Sequence, residues 1–193
     1  YYLYYTAINT DVDWSNRVFL ATASAPDGPW TKYPDNSNPM PILEDPACDG
    51  GNPNDYRVGQ STVLFRDGLF YHWYTDSGQG AGSPPSPLVT MLATSADGVN
   101  YQVQNGGAPV FDHADTDVKY HTPSGQFFMV YGNVDDNKLY WTVSADGIAW
   151  LPHSDSRTID VNLAFGQNHN PGLAGDVLGH TGGATFVMHG GGT

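Results

Sequence analysis

The chain is rich in carboxylates but nearly all of them are aspartates: among twenty Asp and Glu, Glu44 is the only glutamate. Acid–base chemistry on a bound substrate needs a carboxyl that donates a proton and a partner that accepts one. The informative carboxylates are those placed at matching points of separate strands. Two turn glycines supply a ruler: eight residues back from Gly68 stands Gln60, and eight back from Gly125 stands Asp117. A third, Gly183, points to Gly175 with Asp176 beside it. An even offset keeps a strand residue on the same face, so these positions are expected to look the same way. Asp117 and Asp176 become candidate catalytic carboxylates, with strand-end capping as the alternative for Asp117. Glu44, in a long loop, is read as a general acid or as a solvated side chain. Around them Gln60, Arg57, His72, Trp73 and His121 are candidate binding groups, because amides, cations and flat rings suit a ligand with hydroxyls and apolar faces. Of His72 and Trp73, alternation lets only one face a given side of a sheet, and either also reads as ordinary packing.

The elements that must position these residues repeat. An aromatic strand followed by a second strand and a small polar turn occurs as YYLYYTA with RVFLATASAPDGPW, as LFYHWYTD with LVTMLATSADGVNY, and as QFFMVYGN with KLYWTVSADGIAW. A partial fourth copy is GDVLGHTGGATFVMHG. Tyr5, Tyr74, Tyr131 and His189 fall in step at separations of 69, 57 and 58 residues. The runs are short, aromatic or β-branched and bounded by Gly, Asp and Ser, which favours strands. RDG at 66–68 and PSG at 123–125 are tight-turn sequences that make hairpins. About four strands per repeat is the arithmetic of a β-propeller blade, and a β-sandwich is the rival. The Ser-Ala-Asp-Gly turns at 95–98 and 144–147 are read as structural and are expected at the periphery. The segment 39–60 is too long for a plain connection and reads as a binding loop; 152–171 is a second irregular stretch.

Composition narrows the partners. A formal charge of −13 repels phosphate backbones and anionic membrane surfaces, so nucleic acid and membrane are excluded as main partners. No run reaches the apolar length of a membrane helix. The one cysteine, Cys48, cannot close an intrachain disulfide. Neither paired cysteines nor a helical His-x-x-x-His is present, which argues against structural zinc. The opening Tyr1-Tyr2-Leu3-Tyr4-Tyr5 reads as mid-strand, and the first inner strand is expected to precede it.

The form "polar residue, apolar strand, Asp-Gly, Tyr-rich strand, then Ser-Ala-Asp-Gly-x-x-Trp", seen in GQSTVLFRDGLFYHWYTD and TDVKYHTPSGQFFMVYGN, resembles the five-bladed propeller glycoside hydrolases of the family 43, 62 and 32 assembly. The resemblance implies an all-β propeller, about four of five blades within 1–193. It implies cleavage of arabinofuranosyl or xylosyl linkages in oligo- or polysaccharides, secretion, and a trio of an Asp base, a pKa-tuning Asp and a Glu acid. Asp117 would be the tuning and orienting carboxylate. The base position would fall before Tyr1, and Gln60 stands where a carboxylate is expected. A non-catalytic carbohydrate-binding or scaffold propeller is therefore the alternative. No cofactor is required; the Gly179-His180 pair resembles a last-blade histidine beside a channel calcium.

Overall fold

The structure, a computed structural model, describes residues 1–8, 16–44, 57–76, 88–133, 136, 138–159, 167–182 and 187–192. Cys48 and Gly183 lie outside the described residues. The first blade holds β1 (Tyr2–Ala7), β2 (Arg17–Thr22), β3 (Thr31–Lys32) and β4 (Pro41–Leu43), with β3 and β4 both pairing to β2. The second runs β5 (Gly59–Arg66), β6 (Leu69–Asp76), β7 (Val89–Ser95), β8 (Gln102–Val103) in simple antiparallel order. The third repeats that order as β9 (Thr116–His121), β10 (Gln126–Asn133), β11 (Lys138–Ser144) and β12 (Thr158–Ile159). In the fourth, β13 (Gln167–Leu173) pairs with β15 (Val187–Gly192), while β14 (His180–Thr181) leaves the hairpin and runs parallel to β9. The chain is thus an all-β propeller of successive antiparallel blades. Tyr5, Tyr74, Tyr131 and His189 lie on the corresponding strands β1, β6, β10 and β15.

Strand pairing gives a finer alignment than the turn glycines. Trp73 faces Thr62, Val130 faces Asp117, and Met188 faces Gly172. Each of these three partners sits immediately before Tyr74, Tyr131 and His189, so Thr62, Asp117 and Gly172 are equivalent. Two residues earlier stand Gln60, Asp115 and Asn170. The glycine ruler drifts because the β5–β6 turn spans two residues, 67–68, while the β9–β10 turn spans four, 122–125. In the fourth blade the whole β14 excursion lies between Leu173 and Val187. The inner-strand position expected at Gly175 or Asp176 therefore lies earlier, at Asn170.

Blades stick together through a repeated contact. Trp73 Nε1 donates to Gly147 O at 3.0 Å, and Tyr4 Oη donates to Gly98 O at 3.1 Å. Tyr4 and Trp73 each precede an in-step tyrosine, and both glycines close a Ser-Ala-Asp-Gly turn of the next blade. Inside each turn Asp97 and Asp146 accept the backbone amides two and three residues on, which holds both carboxyls below the usual range. The turn glycine is required twice over: Gly147 has φ of 78°, and a Cβ there would lie 2.8 Å from Trp73 Cζ2. Gly147→Ala should destabilise the fold by about 3 kcal/mol in urea unfolding; a change under about 1 kcal/mol would show that this seam is not rigid.

His72 and Trp73 are both fully buried, because a blade has neighbours on both faces. Trp73 points to the third blade, where it meets Phe127 and Trp150. His72 points to the first, edge-on to Tyr4 at 5.2 Å and Tyr101 at 5.1 Å, with no hydrogen-bond partner for either ring nitrogen among the described residues. Burial pushes the imidazole down to about 3. Above pH about 6.5 both folded and unfolded states are neutral at this site. Below that the unfolded chain takes up a proton the folded one refuses, so stability falls until pH nears the folded value. His72→Phe should remove this acid loss: between pH 7.5 and 4.5 the wild-type protein should lose about 2.5 kcal/mol more than the variant. Parallel pH dependence of the two would refute it.

Candidate active site

The inner strands β5, β9 and β13 bring their first residues to one end of the propeller. A cavity of about 410 Å³ opens there, lined by Gln60, Ser61, Thr62, Asp115, Thr116, Asp117, Lys119 and Asn170, with Val63 and Pro171. That volume lies in the range of small-ligand sites. Gln60, Asp115 and Asn170, the equivalent trio, have φ of 42°, 53° and 51°. Three non-glycine residues in the left-handed region at one register of three blades, all on one cavity, mark local strain held by the surrounding fold. In β5 and β13 the same spot is a bulge, between Gly59 and Thr62 and between His169 and Gly172. Bulges of this kind turn side chains out of the sheet. Here Gln60 and Asn170 line the cavity.

Hydrogen bonds join the three strands across the cavity. Gln60 Nε2 donates to Asn170 Oδ1 at 2.7 Å and Thr75 Oγ1 to Gln60 Oε1 at 3.3 Å. Asp117 is the hub. Its Oδ1 accepts from Thr62 Oγ1 and from Lys119 Nζ, each at 2.5 Å, and its Oδ2 accepts from the Leu173 backbone N–H at 2.5 Å. One carboxylate thereby links the second, third and fourth blades, and its side chain is only 14% exposed. Asp117 and Lys119 stand two apart on one face of β9, and Asp115, just ahead of the strand with φ of 53°, lines the same cavity.

The other sequence candidates lie elsewhere. Glu44 follows β4 and pairs with Arg17 Nε at 3.1 Å, largely exposed. Asp176 is a turn residue whose carboxylate accepts the Leu178 and His180 amides at 2.8 and 2.9 Å, and these donors hold it below the usual range. His121 is at the far end of β9, bonded through Nδ1 to Ser124 Oγ at 2.8 Å in the hairpin turn. Arg57 is buried with φ of 59°, bridged to Asn16 ahead of β2, and is not on the cavity wall. His72 and Trp73 are enclosed between blades, as described. His180 directs Nε2 at Phe65 O, 3.0 Å away, and packs edge-on to Tyr120. Among the described residues no three His, Cys, Asp or Glu gather as metal ligands. Gln60 and Asp117 are on the cavity; Thr62, Asp115, Lys119 and Asn170 join them from the structure.

Neither a protein-family model nor a curated protein matches the sequence. Solved structures do match in fold. A family 117 glycoside hydrolase from the marine bacterium Zobellia galactanivorans is 18% identical over 80% of this chain and 42% of its own, with a TM-score of 0.58. A fructofuranosidase from Schwanniomyces occidentalis, solved with fructosylnystose, is 17% identical over 90% of this chain and 34% of its own, at 0.64. Fructan 1-exohydrolase IIa from Cichorium intybus, solved with 1-kestose, is 15% identical over 92% and 36%, at 0.58. The fold is that of the β-propeller glycoside hydrolases, and the chain spans about a third to two fifths of the length of these structures.

Proposed function

We propose that this propeller is part of a glycoside hydrolase whose sugar sits in the cavity at the start of β5, β9 and β13. The observation that carries the reading is the convergence of the equivalent Gln60, Asp115 and Asn170, beside Asp117, on one polar cavity. Hydrolysis of a glycosidic bond needs a carboxylic acid to protonate the leaving oxygen and negative charge near the cationic transition state. Both oxygens of Asp117 accept hydrogen bonds, one of them from the Lys119 ammonium, so it takes the part of the orienting carboxylate. Asp115, two residues earlier on the wall of the same cavity, takes the part of proton donor. A neighbouring negative charge favours the protonated form a donor must have. The amides of Gln60 and Asn170 address sugar hydroxyls.

Arabinofuranosides and xylosides are the substrates we put first, and fructosides are the third class to test. A second reading, a carbohydrate-binding propeller without turnover, is favoured by the full commitment of Asp117 to blade contacts. Release of nitrophenol from aryl α-L-arabinofuranoside and β-D-xyloside, and of fructose from fructo-oligosaccharide, should be measured with the natural full-length protein. Turnover of any one supports the hydrolase. Calorimetric binding of the released sugar without turnover of any would leave the binding propeller in its place.

A further inference from the structure

Gln60 is the member of the equivalent trio whose left-handed backbone local structure accounts for least. Asp115 and Asn170 carry short side chains that tolerate φ near 50°, a tolerance glutamine does not share. What the longer side chain adds is reach. From a backbone at φ of 42° it crosses to a residue 110 positions further on, donating from Nε2 to Asn170 Oδ1 of β13 at 2.7 Å. Thr75 Oγ1 of β6 donates to its Oε1 at 3.3 Å, and its own backbone N–H donates to Thr6 Oγ1 of β1 at 3.2 Å. Backbone and both ends of the carboxamide are thus held by three other strands. The amide is fixed in one sense, because turning it over would set Oε1 against the Asn170 oxygen.

A carboxamide offers two donor hydrogens and two acceptor lone pairs. One of each is used here, so one Nε2 hydrogen and one Oε1 lone pair stay uncommitted among the described residues, on the wall of the 410 Å³ cavity. We propose that Gln60 is a specificity-determining residue that reads two adjacent hydroxyls of a sugar, donating to the oxygen of one and accepting from the other. The inference deepens the reading of the cavity as a sugar site and rests on it. Each hydroxyl of a vicinal diol both donates and accepts, which matches the pair of groups Gln60 leaves open. An amide already ordered by Thr75 and Asn170 loses little freedom when the ligand arrives. Backbone strain kept at a residue whose side chain serves the cavity belongs with such pre-organisation. Across the cavity Asp117 and Lys119 are engaged with each other, so Gln60 contributes the fixed neutral contact.

The test is a cycle between residue and ligand. Methyl β-D-xylopyranoside and methyl α-L-arabinofuranoside, each with its 2-deoxy and 3-deoxy analogues, are titrated calorimetrically into the natural full-length protein and into its Gln60→Met variant. The wild-type protein should bind a parent glycoside about 10-fold more tightly than at least one of its deoxy analogues, because the missing hydroxyl strands a fixed amide. Gln60→Met should bind that parent and that analogue alike. If Gln60→Met does not fold, Gln60→Asn suits the left-handed backbone while withdrawing the amide by one methylene, and it should lose the same discrimination. A residue that only ties blades together would instead lower the urea midpoint and weaken parent and analogue by one common factor. That result, or a wild-type protein that binds parents and analogues equally, would overturn the proposal and leave the sugar site standing. If neither parent binds the wild-type protein, the sugar site falls and the role of Gln60 with it. Discrimination in a protein that turns over no glycoside would sustain the role of Gln60 and remove the hydrolase reading.

Discussion

Asp115→Asn should lower kcat on the cleaved glycoside by about 10²–10⁴-fold, the usual worth of a positioned proton donor, with little change in KM or stability. The expectation follows from how the residue is held. Asp115 has φ of 53° just ahead of β9, a conformation asparagine adopts as readily as aspartate, so the substitution keeps the backbone and the size of the side chain. What it removes is the proton that can be given to a leaving oxygen. A substrate with a good leaving group, such as a dinitrophenyl glycoside, should lose much less, because its departure needs little protonation. An equal loss on both substrates would mean that Asp115 binds or orients rather than donates, and retention of full activity would exclude it from the chemistry.

Much of this arrangement is written in the chain, though not where the turn glycines point. The in-step residues Tyr5, Tyr74, Tyr131 and His189 reveal the blades because side-chain alternation and a packed interface on both faces force the same aromatic pattern onto each middle strand. The inner strands carry their own signal in the four-residue runs Gln60-Ser-Thr-Val63, Asp115-Thr-Asp-Val118 and Asn170-Pro-Gly-Leu173. Each begins with a side chain able to enter the left-handed region or accept a hydrogen bond, and each ends in an aliphatic residue. Measuring from the turn instead hides the match, because hairpin length varies without affecting where a strand begins. Asn170 is the clearest case, since the β14 detour separates it from its hairpin by a segment that has no counterpart in the other blades. The burial of both His72 and Trp73 has a similar cause: strand alternation separates the two faces of a sheet, but only the stacking of blades decides that neither face meets solvent. The pairing of Lys119 with Asp117, with its stem passing Gly175 of the β13–β14 loop, depends on a long-range approach that no local pattern encodes.

Asp117→Ala should destabilise the fold by about 3 kcal/mol, a larger effect on stability than on any single binding contact. Its carboxylate accepts from Thr62 of β5, Lys119 of β9 and the Leu173 amide of β13. Truncation removes this acceptor from all three in a largely buried place; Thr62 Oγ1 and Lys119 Nζ keep only the longer contact to Val118 O at 3.3 Å, the Leu173 amide loses its Asp117 acceptor, and the cost of stranding a donor exceeds the worth of the bond it made. Asp117→Asn is the informative partner. It keeps the volume and one carbonyl oxygen but brings an NH₂ toward either Thr62 and Lys119 or Leu173, so at least one donor then faces another donor. It should therefore recover only part of the loss, about 1 kcal/mol of it. Lys119→Met combined with Asp117→Asn should be milder than the two separate losses added together, because the charge and its counter-charge leave at once. Urea unfolding of the four proteins measures this coupling, and strict additivity would show that Asp117 and Lys119 do not act as a pair. If Asp117→Ala unfolds at the wild-type urea midpoint, the carboxylate is not what holds the three inner strands at their spacing, and the geometry of the cavity must be set by the Gln60–Asn170 contact and the β14 detour instead.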